Sequence, residues 1–193
     1  TPQLIDYSAL THIIHQNIDP DSTNPPGYWS FPISQAYFER GDGDGCNQPI
    51  QADLINLAHQ NGVKVLLGLG GVFDGQFELI TADPAMLSAY VSSVSAYARS
   101  RGYDGFDVDW EFVWDEVGYI RLIQALRAEL DTWNPRGILT EAVPGWYNSG
   151  YGYDIPTMNA YLDQINWMDY DLSGSWNTYT GFQTPLYPPN YLN

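Results

Sequence analysis

Between Asp104 and Glu111 the chain reads Asp-Gly-Phe-Asp-Val-Asp-Trp-Glu, which places four carboxyl groups in eight residues. Phe106, Val108 and Trp110 suit a buried strand. Successive side chains of a strand point to opposite faces, so Asp107, Asp109 and Glu111 share one face and the three apolar residues the other. Like charges at that spacing raise one another's pKa and force protons to be shared. Such a row is useful where a carboxylic acid must still hold its proton near neutral pH. A solvated acidic edge does not account for the apolar opposite face. A metal site is the other reading, but the nearby histidines do not obviously complete it. A protonated general acid is the reading these residues favour.

The elements that would position this row alternate along the chain. An apolar strand is expected over Leu10–Ile18, followed by a helix over Gln51–Asn61 with Leu54, Leu57 and Ala58 on one face and Gly62 as its stop. Val63–Leu69 reads as a continuous apolar strand running into Gly70 and Gly71. Pro84–Arg101 reads as a helix with proline at its start and Gly102 after its end. Strand Gly105–Glu111, helix Glu116–Trp133, strand Ile138–Val143, helix Pro156–Gln164 and strand Ile165–Leu172 complete the pattern. Apolar strands between amphipathic helices indicate an α/β chain with a parallel sheet covered by helices. In such sheets the carboxyl ends of the strands build the site, and Gly70, Gly71, Glu111, Pro144, Gly145, Tyr170 and Asp171 all fall there. A single domain over residues 1–193 is expected.

The row and three other segments carry a resemblance. Asp104–Glu111 is similar to the D-G-x-D-x-D-W-E motif of glycoside hydrolase family 18, the chitinases and their relatives. Lys64-Val-Leu-Leu-Gly-Leu-Gly-Gly71 resembles the family's strand ending in S-x-G-G, with Gly68 where serine is usual. Trp167-Met-Asp-Tyr-Asp171 resembles its M-x-Y-D strand, and Leu10-Thr-His-Ile13 its early L-T-H-I segment. The resemblance implies a (β/α)8 TIM-barrel type of fold. A closed barrel has eight strands in about 250 residues, whereas five are read here, matching the family's second to sixth. The barrel is therefore expected to be incomplete, and its open edges would invite self-association to complete the sheet.

The resemblance also implies roles. Glu111 would be the acid that protonates the glycosidic oxygen and later the base towards water. Asp109 would hold the N–H of the substrate's acetamido group, whose carbonyl oxygen is the nucleophile in this substrate-assisted retaining mechanism. Asp107 would share a proton with Asp109, and Tyr170 would orient the acetamido oxygen. Met168 and Asp171, beside Gly70 and Gly71, would bind sugar, while Asp104 would brace the strand. The loop aromatics Trp146, Tyr147 and Trp176 are read as sugar-binding from their place in loops, because sugar clefts pack aromatic faces against pyranose rings. The substrate implied is chitin or N-acetylglucosamine oligosaccharides, with no cofactor. Endo-β-N-acetylglucosaminidase action on N-glycans and a non-catalytic chitin-binding lectin are the alternatives. Retention of every motif carboxylate speaks against the lectin. Four departures stand out: Gly68 for serine, the missing first-strand tyrosine, Phe112-Val113 for Tyr-Pro, and no counterpart of the last-strand tryptophan.

Composition narrows the field further. Net charge is −16, with Lys64 the one lysine beside six arginines, which disfavours nucleic acid as a partner. No run approaches the length of a membrane span, and nothing at Thr1 resembles a signal peptide, so the chain reads as a mature or trimmed soluble protein. Secretion is implied only by the polymer substrate. Cys46 is alone, so no intrachain disulfide can form. Gly41-Asp-Gly-Asp-Gly45 hints at a calcium loop but lacks a following ligand at the right spacing, and a plain turn is preferred. Tyr151, Tyr153 and Tyr179 join the other loop aromatics as residues for which a core role is the weaker reading.

Overall fold

In a computed structural model, residues 1–22, 28–30, 38–39, 49–71, 75–145 and 153–187 are described. The loop aromatics Trp146, Tyr147 and Tyr151, Cys46 and the Gly41–Gly45 turn lie outside them. The strands are β1 (His12–Asp21), β2 (Tyr28–Ser30), β3 (Lys64–Gly71), β4 (Gly105–Trp110), β5 (Ile138–Pro144) and β6 (Gln164–Met168). The helices among the described residues are α1 (Ile50–Gln60), α2 (Gln76–Ala82), α3 (Pro84–Arg101), α4 (Glu116–Leu130) and α5 (Ile155–Met158). The sheet order is β2-β1-β3-β4-β5-β6, with β2 antiparallel to β1 and every other pairing parallel. Among the described residues β6 pairs on one side only, so the sheet does not close.

Two of the helices are bounded by local sequence signals. Asp83 accepts hydrogen bonds from the N–H groups of Ala85 and Met86, Pro84 opens α3, and Gly102 ends it at φ 89°. Asp115 caps α4 through Gly118 N–H. Buried Gln51, Leu54, Ile55 and Ala58 repeat at three- and four-residue spacing and turn α1 towards the sheet. The expected helix over Pro156–Gln164 shrinks to α5. Asp163 is drawn to the start of β5, where it accepts from Leu139 N–H at 2.9 Å and pairs with Arg127 and Arg136, so the chain must leave the helix early. Helix α2 and strand β2 are additions to the expected set.

Register divides the sheet into two faces. Phe106, Val108 and Trp110 of β4 lie level with Leu67, Leu69 and Gly71 of β3 and turn to the helices. Trp110 stacks on Phe77 of α2 at 4.9 Å and meets Tyr119 of α4 edge-on at 5.6 Å. Burying each such ring contributes roughly 2–3 kcal/mol, so the helix face anchors β4. The opposite face carries Asp107 and Asp109, Thr140 and Asn166, and it is this polar face that a closed barrel would enclose.

Candidate active site

Asp107 is fully buried and Asp109 nearly so. The Thr140 hydroxyl and the Asn166 amide both donate to Asp107 Oδ1, the latter at 3.0 Å. Gln16 Nε2 donates to Asp109 Oδ2 at 3.2 Å. The remaining oxygens, Asp107 Oδ2 and Asp109 Oδ1, are buried with no hydrogen-bond partner among the described residues. Burial pushes Asp107 up to about 6, with the charge of Asp109 adding to it and the two donors opposing. Burial likewise raises Asp109, against the bond from Gln16. Two carboxyls so placed titrate as a pair.

Glu111 follows the last residue of β4, at the mouth of the sheet and partly exposed. Burial, then the charges of Asp109 and Asp171, raise it to about 7. A carboxyl at that value keeps its proton in near-neutral water while its neighbours share charge. The strand stops at Trp110 rather than at Glu111 because Phe112 takes φ 56°, a left-handed conformation for a bulky residue. Such a conformation costs on the order of 1–3 kcal/mol and persists only where the surroundings impose it.

The structure brings five of the remaining expected residues to this mouth: Tyr170, Asp171, Met168, Gly70 and Gly71. Tyr170 is about half exposed, and burial together with Asp109 and Glu111 raises its phenol. Asp171 sits at φ 57° and accepts from Gln183 Nε2 at 2.7 Å. Met168 ends β6, and its carbonyl accepts from Gly145 N–H at 3.2 Å. Gly70 has φ 96°, and a Cβ there would lie 2.5 Å from the Phe77 ring and 2.8 Å from the Asp109 carbonyl. Packing therefore requires glycine at position 70 in its own right, and the Gly70 carbonyl accepts from Asn17 Nδ2. Gly71 ends β3 opposite Trp110. Trp176 stands on the irregular segment after β6 with its ring over Gly174, and is 63% exposed.

Asp104 lies at the other end of β4. It accepts from His59 Nε2 at 2.7 Å, Lys64 Nζ at 2.8 Å and Val65 N–H at 2.9 Å, which tie the starts of β3 and β4 together. Burial opposes its charge, but those three partners outweigh it and hold the carboxyl below its ordinary value.

Sequence reasoning missed Gln16, Thr140 and Asn166, and misplaced Tyr153. From His15 to Ile18, β1 advances three residues while β3 advances two, Leu67 to Leu69, so β1 carries one extra residue there. Bulges re-aim side chains beside active sites, and this one sends Gln16 to Asp109 and Asn17 to Gly70. No periodicity reports such a shift. Thr140 was findable: it lies directly opposite Asp107 once β4 and β5 are aligned. Tyr153 is 7% exposed and belongs to the core, contrary to its expected place among the loop aromatics.

A parallel sheet crossed by helices, with a proton-holding glutamic acid and a buried aspartate pair at its carboxyl mouth, defines a barrel-type glycosidase architecture. Residues 2–193 match the glycosyl hydrolases family 18, and the chain belongs to that family. It is 34% identical over 141 residues to a probable endochitinase of Caenorhabditis elegans, covering 67% of this chain and 23% of that protein. Chitinase 1 of Aphanocladium album is 27% identical, over 96% of this chain and 48% of its own length. Among solved structures, the group IV chitinase of Ostrinia furnacalis in complex with allosamidin superimposes with a TM-score of 0.83 at 26% identity, covering 98% of this chain and 50% of that one. The chain thus spans half or less of these relatives, as the unclosed sheet already indicates.

Proposed function

We propose that this chain carries the acid machinery of a retaining hydrolase that cuts β-1,4-linked N-acetylglucosamine polymers, chitin first. The observation that carries the reading is the pairing of Glu111, raised to about 7, with an Asp109 whose Oδ1 is buried and without a partner among the described residues. Glu111 gives its proton to the glycosidic oxygen as the bond to C1 breaks. The substrate's acetamido carbonyl oxygen closes on C1 from the other side, and an oxazolinium ion forms. Asp109 Oδ1 accepts the acetamido N–H and, charged, offsets the positive charge that develops. Asp107 takes up the shared proton, and the Tyr170 hydroxyl steers the acetamido oxygen. Water then attacks C1 as the oxazolinium C1–O bond breaks and the acetamido group is restored, with the Glu111 carboxylate removing the water proton.

A polymer substrate outside the cell would require a secreted enzyme; among the described residues no helix is long and apolar enough to cross a membrane. The edge of β6 that has no partner strand among the described residues is where a further strand or a second copy would complete the sheet.

The test is sugar release from an N-acetylglucosamine tetramer by this chain and by Glu111→Gln. Turnover that falls about 10²–10⁴-fold in the variant supports the acid role. A smaller loss sinks it, and tetramer binding without release by either form would favour the lectin.

A further inference from the structure

Tyr153 is a buried titratable group that the mechanism above does not use. Its hydroxyl donates to the Trp110 carbonyl at 2.7 Å. That carbonyl opens the turn carrying Glu111 and Phe112, so the phenol pins the turn at its start. The turn needs pinning, because Phe112 holds the left-handed conformation. The hydroxyl is itself held in place. Its ring meets Tyr119 edge-on at 5.4 Å, and Tyr119 meets Trp110 in the same way at 5.6 Å. On the backbone side, Ile155 N–H bonds the Tyr153 carbonyl at 3.1 Å, and Asp154 caps the short helix that follows.

We propose that Tyr153 is a positioning residue for the acid, its hydroxyl pinning the turn Trp110–Val113 so that the Glu111 carboxyl is held over the aspartate pair. This rests on the hydrolase reading for its kinetic consequence, but not for its structural one. Glu111 owes its high proton affinity to its place: partial burial and the nearness of Asp109 and Asp171. A loosened turn lets the carboxyl swing into water and away from those charges.

Tyr153→Phe keeps the ring and removes only the hydroxyl. The primary measurement is the titration of Glu111 followed by carbon NMR on glutamate labelled at the carboxyl, with Glu111→Gln assigning the signal. The expected result is a midpoint that drops from about 7 by roughly one unit. An unchanged midpoint overturns the proposal, whatever happens to the melting temperature. Placing 4-aminophenylalanine at 153 restores a donor on the same ring and is expected to recover the midpoint; failure to recover it also counts against the proposal. On the tetramer, kcat is expected to fall about 10–100-fold with KM within about twofold. On a substrate with a 4-nitrophenyl leaving group, which departs without a proton, the loss should be under about threefold. Equal losses on both substrates would mean a general loosening of the fold. If the wild-type chain turns over neither substrate, the hydrolase reading fails, and the titration still decides the role of Tyr153.

Discussion

Gln16 fills the space beside Gly68. A Cβ at position 68 would lie 2.9 Å from Gln16 Cγ and 3.1 Å from its Cα, while Gln16 Nε2 reaches Asp109. The serine of the S-x-G-G motif that this strand resembles and the glutamine that this chain brings from β1 are thus alternatives for one volume. The bulge in β1 is what delivers the glutamine.

Restoring the serine alone is therefore expected to be harmful. Gly68→Ser forces the β1 backbone to shift and should cost about 1–3 kcal/mol, the usual range for overpacking. Adding Gln16→Ala relieves the side-chain part of the clash, so the double variant should recover about half of the loss. Urea unfolding of the two single variants and the double variant measures the coupling. Additive losses would show that Gln16 and position 68 do not compete.

Thr140→Val removes one of the two donors to Asp107 while keeping the shape of the side chain. That bond favours the charged carboxylate, so its loss should raise Asp107 from about 6 by roughly one unit, given about 1.5 kcal/mol for a bond to a charged group. The acid limb of the kcat/KM profile should move to higher pH by the same amount. The alkaline limb, set by loss of the Glu111 proton, should stay in place. Movement of the alkaline limb instead would mean that Thr140 acts on Glu111.

What the sequence made legible follows from how local each signal is. Pro84, Gly102 and the face periodicity between them define α3, and its ends are as expected. The acid row was readable because a strand that places four carboxyl groups among buried apolar residues is costly to fold unless those groups do chemistry. Boundaries failed where distant residues decide them. The strand read as Ile165–Leu172 stops at Met168, level with Pro144, which has no N–H to extend the ladder. Gln16 and Tyr153 were illegible for the same reason. The first depends on a register shift in β1, and the second on a turn closed across 43 residues of chain.

Asp104 should matter for stability. Asn at this position keeps the size but loses the charge that His59, Lys64 and Val65 N–H satisfy. With His59 and Lys64 side chains 41% and 44% exposed, screening limits the expected loss to about 1 kcal/mol. The folded-state pKa of Asp104 lies below its ordinary value, so its contribution is fully present above about pH 4 and fades as pH falls through the folded value. The stability gap between Asp104→Asn and wild type, read from urea midpoints, should be open at pH 7 and narrow below pH 4. A gap that persists unchanged in acid would assign the loss to packing rather than charge.

Glu141 gives the opposite sign. It lies on the helix face of β5, level with Val108, fully buried, and neither carboxyl oxygen has a well-formed hydrogen bond among the described residues. Burial raises its pKa well above the usual value, opposed by Tyr119 and reinforced by Asp107 and Asp109. It therefore folds as the neutral acid. Below the unfolded pKa both states hold the proton and nothing is lost. Above it the unfolded chain releases a proton that the folded chain retains, so stability falls with rising pH. The slope is about 1.4 kcal/mol per pH unit until the buried carboxyl itself ionises. Glu141→Gln removes that slope while keeping the size. Between pH 5 and 7 the variant should gain on the wild type by that amount per unit, read as diverging urea midpoints. Parallel midpoints across that range would mean that Glu141 is already charged in the folded protein and has a partner that stabilises it.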